Sequence, residues 1–206
     1  MTDATLTEAV SPAPATSMAA EPPLRAARRS DLAMIHGRLI EAIGSSPFYS
    51  DEFKAYETGR LTRAWLEALH EADPWHVAVM QLKGEPAGFM ISGPELGTLW
   101  LYWSYVFPEK RKSSMALAAM RNFLAHWEKN RFHKVATYTR PGNDAAVGIM
   151  ERFGWTRTAL LEKHIFGEDY LLYEHTLEKT IPGYDHGARL GRLHQIIRSV
   201  KGLIGR

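Results

Sequence analysis

The sequence predicts an α/β fold: one mixed sheet of six to seven strands with about four helices, followed by an amphipathic helix at the C-terminus. Short β-prone runs alternate with runs whose apolar residues recur every three or four positions. Two strand–helix units follow one another in the middle of the chain, which favours parallel strands at the centre of the sheet. The predicted element order is β-α-α-β-β-β-α-β-α-β-β.

The first half of the chain is predicted to hold a short strand, two helices and three further strands. Ser30 is expected to cap the first helix, whose apolar face runs from Leu32 to Ile43 at helical spacing. The second helix covers RLTRAWLEALHE, and the segment before it, SSPFYSDEFKAYETG, is predicted to be a loop or a broken helix. The strands are, in order, PLRA, HVAVMQL, AGFMISG and GTLWLYWSYVF, with the turn KGEP joining the second and third.

The second half is predicted to alternate helices with strands and to end in a hairpin. Apolar residues between Leu117 and Trp127 mark the buried face of a long helix. A later helix begins at Asn143 and is closed by Gly154. The strand HKVATYT lies between these helices, and WTRTALLEKHIF and DYLLYEHTL form the final hairpin, which turns at GED.

Length and composition predict one domain with two terminal extensions. Residues 1–22 are rich in Ala, Thr, Pro and Ser and are expected to be disordered. Residues 23–178 are expected to form the domain, and residues 179–206 a basic amphipathic tail. The sequence has no cysteine, no run of 18 apolar residues and no apolar core of a secretion signal, which together predict a cytoplasmic location.

Charge and residue spacing argue against a nucleic-acid partner and against a metal site. The five basic residues after Ile181 outweigh Asp185 by +4, so a net charge of +2 leaves −2 for the rest of the chain. The nine histidines show no metal-ligand spacing, and thiolate ligands are excluded without cysteine. We therefore expect neither nucleic acid nor metal.

The tail carries an apolar stripe opposite a basic face. The apolar residues are spaced by three or four positions: Leu190, Leu193, Ile197, Val200 and Ile204. We expect this stripe to fold back on the domain, to pack against a partner helix or to pack in a homodimer. Peripheral contact with an anionic membrane is the second interpretation and RNA binding a remote third.

A basic turn follows the predicted central strand. Val106 and Pro108 end the strand, and Arg111, Ser114 and Ala116 lie in the turn and at the start of the next helix. A strand that leads through a turn into a helix presents backbone N–H groups that can bind an anion. The turn is thus a candidate phosphate site.

A second pattern, Asn143-x-x-Ala146, opens the later helix, which ends in ERFGW. In this order and separation, the two patterns resemble the GCN5-related N-acetyltransferase family over roughly Leu24 to Leu177. The turn matches the family's (Gln or Arg)-x-x-Gly-x-(Gly or Ala) loop except at the central glycine, where Ser114 stands.

The resemblance implies that the loop binds the pyrophosphate of acetyl-CoA or of another acyl-CoA. Lys110, Arg111 and Lys112 add positive potential, and a serine at position 114 fits in place of glycine if its φ is negative. The predicted cofactor-binding residues are Tyr105, Val106, Arg111, Lys112, Ser113, Ser114, Met115, Ala116 and Asn143.

The resemblance also implies direct attack of a primary amine on the thioester, but two usual proton-handling positions are changed. The family's tyrosine position is Met150, and its strand carboxylate position is Trp100. Backbone N–H groups near Tyr105 and Val106 are candidate oxyanion donors. Six strand residues could substitute for the missing groups, with Tyr105, Tyr138 and His164 as the catalytic candidates: Tyr102, Tyr105, Tyr138, Glu162, His164 and Tyr173.

The acceptor side is predicted from the segment before the second helix. Its acidic and aromatic residues would suit a cationic amine: Phe48, Tyr49, Asp51, Glu52, Tyr56 and Glu57. A packed loop with solvated charges is an equal alternative.

Two functions remain open from the sequence. One is an acyl-CoA-dependent N-acyltransferase, most simply an N-acetyltransferase, acting on a small-molecule or protein amine. The other is a non-catalytic binding or sensing module of the same fold, with the tail as its interaction element. Met150 and Trp100 favour the second, whereas the intact spacing from Val106 to Arg111 favours the first. A lipid-directed acyltransferase is a fainter third interpretation, which rests on the tail.

Overall fold

A mixed sheet organises the chain. The computed structural model describes residues 22–111 and 114–185. Within them the sheet has seven strands in the order β1-β2-β3-β4-β5-β7-β6, antiparallel except for the parallel pair β4–β5. The strands are β1 Leu24–Ala26, β2 Val77–Leu82, β3 Glu85–Glu95, β4 Thr98–Val106, β5 Lys134–Thr139, β6 Thr156–Ile165 and β7 Glu168–Thr176. The predicted fold class, a mixed α/β sheet with a parallel pair at its centre, is confirmed.

Five α-helices in the described residues cover the two faces of this sheet. They are α1 Leu32–Ser45, α2 Asp51–Arg60, α3 Arg63–Ala72, α4 Met115–Trp127 and α5 Asp144–Arg152. The core on one face contains Ile35 of α1 and Leu69 of α3, and the core on the opposite face contains Phe123 of α4 and Met150 of α5. The sheet is therefore the middle layer of three.

The segment predicted as a loop or a broken helix contains a regular helix, α2. The Ser50 hydroxyl accepts the Phe53 N–H at 3.3 Å and so caps its N-terminus. Asp51 and Glu52 occupy its first turn, where negative charge favours a helix. The prediction missed α2 because the segment lacks the aliphatic residues that usually mark a buried helix face.

The predicted N-cap at Ser30 is wrong. Ser30 lies inside a short 3-10 helix, Arg29–Asp31, that runs directly into α1. The side chain that binds a backbone N–H at this helix start is Asp31. Its Oδ2 accepts the Arg28 N–H at 2.7 Å and a hydrogen bond from Arg25 Nη1 at 2.6 Å.

The end of the described chain returns to the domain. The Gly97 N–H donates to the Asp185 carbonyl at 3.0 Å, and Arg131 Nε lies 3.0 Å from Asp185 Oδ2. Residues 1–21 and the apolar stripe from Leu190 to Ile204 lie outside the described residues, so the predicted disorder and the amphipathic tail helix stay predictions. No helix in the described ranges is long and apolar enough to cross a membrane.

His76 is fully buried beside β2. Its ring stacks on Trp127 with centroids 5.2 Å apart, and Arg131 Nη2 donates to its Nε2 at 3.2 Å. Arg131 also binds Asp73 at 2.7 Å. Burial is the main cause that lowers the pKa of His76 to about 4, because a charged imidazole there would lose its hydration. The folded protein therefore holds this histidine neutral.

Because His76 is held neutral, we expect the free energy of unfolding to depend on pH. Between pH 6.5 and pH 4 the unfolded chain binds a proton on His76 that the folded chain does not, so the free energy of unfolding decreases as the pH falls through this window. The loss attributable to His76 is about 3 kcal/mol at pH 4. Urea unfolding from pH 7 to pH 4 should show the loss, and His76→Gln should remove most of it. His133→Gln, at an exposed position, is the control; a His76→Gln protein with the wild-type pH slope would contradict the assignment.

Candidate active site

The two parallel strands at the centre of the sheet separate halfway along their length. The β4–β5 register joins Leu99 to Val135 and Trp100 to Ala136. The Thr137 hydroxyl then donates to the Leu101 carbonyl at 2.8 Å. Beyond this point β4 stays paired with β3 and β5 with β7. We call the resulting opening the β4–β5 cleft.

A bulge in β4 lies at the start of the cleft. Trp103 pairs with Ile91 and Leu101 pairs with Ser92, so Tyr102 is an extra residue. The Tyr102 ring lies over Gly93, where a Cβ would be 2.8 Å from its Cε2. Its hydroxyl donates to Glu95 Oε1 at 2.9 Å, and burial is the main cause that raises its pKa.

The end of β4 offers backbone donors to the cleft. The Phe107 N–H donates to the Ala87 carbonyl at 2.9 Å, which makes these residues a hydrogen-bonded pair. Because such pairs alternate along an antiparallel ladder, the Tyr105 N–H points toward β3 and the Val106 N–H points away from it. Of the two predicted oxyanion donors, Val106 is the one that faces the cleft.

The loop after β4 leads into the N-terminus of α4. Its first part is a 3-10 turn, Pro108–Lys110, and the Arg111 guanidinium lies over the Tyr105 ring, 5.5 Å from the centroid. Ser114, directly before α4, has a φ of −73°, which any residue adopts. The condition for a serine in place of glycine is therefore met. Lys112 and Ser113 lie outside the described residues.

The other predicted cofactor-binding residues begin helices. Met115 is the first residue of α4, at the positive end of the helix dipole, and Ala116 follows it. Asn143 caps α5, because its Oδ1 accepts the Ala146 N–H at 3.3 Å.

A cavity of about 620 Å³ opens beside the cleft. Helix α2 and the residue Tyr49 before it form its roof, and β4, β5 and the β6–β7 hairpin form its floor and walls. Its lining is mostly aromatic: Tyr49, Phe53, Tyr56, Glu57, Arg60, Glu95, Trp100, Leu101, Tyr102, Trp103, Tyr138, His164, Ile165, Phe166 and Tyr170.

Glu57 is the most deeply buried charge in this lining, with 5% of its surface exposed. Arg60 donates to it from Nε and Nη2, both at 2.9 Å, in a two-pronged ion pair. Trp103 Nε1 also lies 3.4 Å from Glu57 Oε2. The carboxylate charge is therefore compensated within the cavity wall.

Three tyrosines of the cavity keep their protons at neutral pH. Burial raises the pKa of Tyr49 and that of Tyr170 to about 12. Burial and the nearby Glu95 also raise the pKa of Tyr138. These hydroxyls are hydrogen-bond donors to a bound molecule and not phenolate bases.

The cavity brings together three of the six predicted substitutes, namely Tyr102, Tyr138 and His164. The Tyr138 ring lies 4.9 Å from Trp100 and 5.2 Å from His164, measured between centroids. Tyr138 thus stands on β5 next to the last residue pair before the cleft opens.

The other three substitutes lie elsewhere. Tyr105 packs against Phe89 and Phe107 on the α1 side of the sheet, and its hydroxyl is buried there. Tyr173 is 1% exposed inside the α4 core, and Glu162 is exposed on β6 outside the cavity lining. The structure therefore offers none of these three side chains to the cavity.

Met150 and Trp100, which stand where the family usually has a tyrosine and a carboxylate, have different surroundings. Met150 is buried in the α4 core, with 6% of its surface exposed, so its side chain fills the interior. Trp100 lines the cavity beside the cleft. Within the described ranges, no group of three His, Asp or Glu side chains could hold a metal ion.

Half of the predicted acceptor residues line the cavity. Tyr49, Tyr56 and Glu57 do so, whereas the other three, Phe48, Asp51 and Glu52, do not. Among the lining residues that the sequence reasoning missed are Phe53, Trp103 and Tyr170. Phe53 could have been found from its helical spacing to Tyr49 and Glu57, but the other two required the tertiary structure.

Comparisons with known proteins concern the family and the fold of the chain. The family described as Acetyltransferase (GNAT) family matches residues 37–155, more than half of the chain. A search of curated protein sequences finds no match.

Solved structures of acetyltransferases share the fold at low sequence identity. A ribosomal-protein-alanine N-acetyltransferase from Brucella melitensis is 20% identical, with a TM-score of 0.62 over 75% of this chain and 99% of its own. A putative acetyltransferase from Salmonella typhimurium, solved with its cofactor acetyl-CoA, is 17% identical, with a TM-score of 0.60 over 78% of this chain and 96% of its own. An N-acetyltransferase from Staphylococcus aureus is 18% identical, with a TM-score of 0.58 over 75% and 98%. From the family match and the shared fold together, the chain belongs to the GNAT acetyltransferase family.

Proposed function

We propose that the protein is an acyl-CoA-dependent N-acyltransferase, most simply an N-acetyltransferase, that acts on a primary amine. The observation that carries the proposal is the β4–β5 cleft, which has the loop before α4 on one side and an aromatic cavity on the other. The similar Salmonella protein was solved with acetyl-CoA, which supports the choice of acyl donor. The cytoplasmic location and the homodimer stay predictions.

The residues at the loop fit a pyrophosphate group. The loop leads into the N-terminus of α4, where the helix dipole favours negative charge. Arg111 is an exposed cation in this loop, four residues before the helix begins. At the end of β4, the Val106 N–H is available to a carbonyl oxygen in the cleft.

The proposed reaction is a direct acyl transfer. Acyl-CoA supplies the thioester, the amine nitrogen bonds to its carbonyl carbon, and the carbon–sulfur bond breaks. The nitrogen loses one proton and the departing CoA sulfur gains one, so the products are an amide and free CoA. The protein needs to hold the two reactants in line, accept the first proton and stabilise the sulfur.

Tyr138 and His164 are the residues that we assign to this proton handling. The raised pKa of Tyr138 keeps its hydroxyl protonated, so it can donate a hydrogen bond to the departing sulfur. The neighbouring His164 ring, or a water molecule beside it, is the proposed acceptor of the amine proton. The buried hydroxyl of Tyr105 has no part in this scheme.

Calorimetric titration of acetyl-CoA tests the donor site. We expect micromolar binding to the wild-type protein and a loss of tenfold or more in Arg111→Glu, because the change reverses a charge beside two phosphates. Arg157→Glu, an exposed charge reversal on the edge strand β6, should bind as the wild type does.

The same titration, followed by a screen of amines for release of CoA, separates the enzyme from the non-catalytic module. Binding without release of CoA across a screen of amines would favour a sensing module, in line with the buried Met150. A folded protein that binds neither acetyl-CoA nor longer acyl-CoAs would refute the proposed function.

A further inference from the structure

Helix α2 turns an aromatic face toward the cavity and not toward either core. Tyr49, Phe53, Tyr56 and Arg60 are spaced by three or four positions, which places them along one face of the helix and its N-terminal lead. All residues of α2 are described by the structure, and none of them belongs to either apolar core. Most of this aromatic face lines the cavity.

The roof and the floor of the cavity meet through aromatic contacts around it. Tyr49 lies 5.7 Å from Trp103, Phe53 lies 6.4 Å from Tyr170, and Tyr56 lies 5.6 Å from Phe166, each measured between ring centroids. The last contact bridges α2 and the turn between β6 and β7. These contacts hold α2 over the floor of the cavity, so aromatic rings lie on more than one side of a compact bound molecule.

The charge of the lining suits a ligand with a single positive charge. Glu57 is neutralised by Arg60 in the wall, and Glu95 accepts the Tyr102 hydroxyl at the exposed end of β3. Apart from the histidine, the lining carries two carboxylates and one guanidinium, a net charge of −1. A polyamine would bring charges that these walls cannot pair, and burying an unpaired charge is costly.

We infer that the acceptor bound in this cavity is an arylalkyl monoamine, a flat system of one or two rings that carries one primary amine. This inference rests on the proposed function for its reaction but not for its binding site. Nine aromatic side chains can stack on a ring from several sides: Tyr49, Phe53, Tyr56, Trp100, Tyr102, Trp103, Tyr138, Phe166 and Tyr170. A volume of about 620 Å³ lies within the range of small-molecule sites.

The position of the amine follows from the shape of the site. Trp100 and Tyr138 are the lining residues next to the point where β4 and β5 separate. A ring held beneath α2 would direct its alkyl amine toward this point, where the acyl group of the donor is proposed to lie. The amine would then be next to His164 and Tyr138.

Calorimetric titration with four amines tests the inference. The probes are tryptamine, 2-phenylethylamine, spermidine and a tripeptide with a free N-terminal alanine, each added to the free protein and to protein mixed with CoA. We expect saturable binding of both arylalkylamines in at least one of the two states, and binding of spermidine and of the tripeptide about tenfold weaker or worse. Phe53→Ala should weaken tryptamine binding about tenfold by removing a ring from the roof.

Phe48→Ala is the matched control, because Phe48 precedes α2 but does not line the cavity, and it should leave tryptamine binding unchanged. Circular dichroism establishes that both variants fold, as expected for residues outside the two cores. Tighter binding of spermidine or of the tripeptide, equal effects of the two variants, or no arylalkylamine binding in either state would overturn the inference. If CoA fails to bind while tryptamine binds, the proposed function fails but the amine site stands. If acetyl-CoA is consumed with spermidine and not with tryptamine, the function stands and the inference is overturned.

Discussion

Replacing Gly88 with alanine is expected to lower the free energy of unfolding by about 3 kcal/mol or more. Gly88 lies in β3, and a Cβ on it would be 2.4 Å from the Tyr105 carbonyl oxygen and 2.8 Å from Met80 Sδ. The Met80 side chain can move aside, but the Tyr105 oxygen belongs to the backbone of β4. Alanine therefore forces β3 and β4 apart at the centre of the sheet.

The same change is expected to weaken the binding of acetyl-CoA. Gly88 pairs with Val106, whose N–H faces the β4–β5 cleft, and the loop that is proposed to bind phosphate follows directly. A shift of β4 moves both the proposed oxyanion donor and the start of this loop. We therefore expect Gly88→Ala to affect both the stability of the sheet and the binding of acetyl-CoA.

Chemical unfolding and acetyl-CoA titration of Gly88→Ala measure the two effects. Gly148→Ala is the control, because Gly148 is exposed in α5 with nothing within 4 Å of its added Cβ. That change should stabilise the protein by up to about 1 kcal/mol, since alanine favours a helix. A Gly88→Ala protein as stable as the wild type would mean that the two strands can separate without cost, contrary to the packing described above.

The strands and four of the helices could be predicted from the sequence because each buries an apolar face with a regular period. Helix α2 could not, because its inward residues are aromatic or charged and face a cavity instead of a core. Its only buried residue is Glu57, and a glutamate in a sequence usually indicates a surface position. A helix that lines a cavity therefore lacks the apolar pattern by which a core helix is predicted.

The loop was predictable to a greater degree than the cavity. Val106, Pro108 and Arg111 are close in sequence, so their spacing is visible without a structure. The cavity collects residues from α2, β4, β5 and the β6–β7 hairpin, and the pairing of Phe53 with Tyr170 joins positions far apart in the chain. Such a set becomes visible when the strand order is known.

Removing the Tyr138 hydroxyl is expected to lower kcat about 100-fold with little change in the KM for the amine. Tyr138 lines the cavity on β5, and its raised pKa keeps the hydroxyl protonated beside the β4–β5 cleft. Met150 has no proton to donate and is buried in the core, so it cannot take the role of the family's tyrosine. The hydroxyl of Tyr138 is a hydrogen-bond donor whose ring lies beside Trp100.

Steady-state kinetics of Tyr138→Phe with acetyl-CoA and an arylalkylamine measure this effect, and the phenylalanine ring preserves the wall of the cavity. Tyr184→Phe removes a hydroxyl from an exposed tyrosine outside the cavity and should leave kcat within twofold of the wild type. A raised KM with an unchanged kcat would mean that Tyr138 contributes binding surface and not a proton. In that case His164 or water would donate the hydrogen bond to the leaving sulfur. His164→Gln would then be expected to cause a larger loss in kcat than Tyr138→Phe.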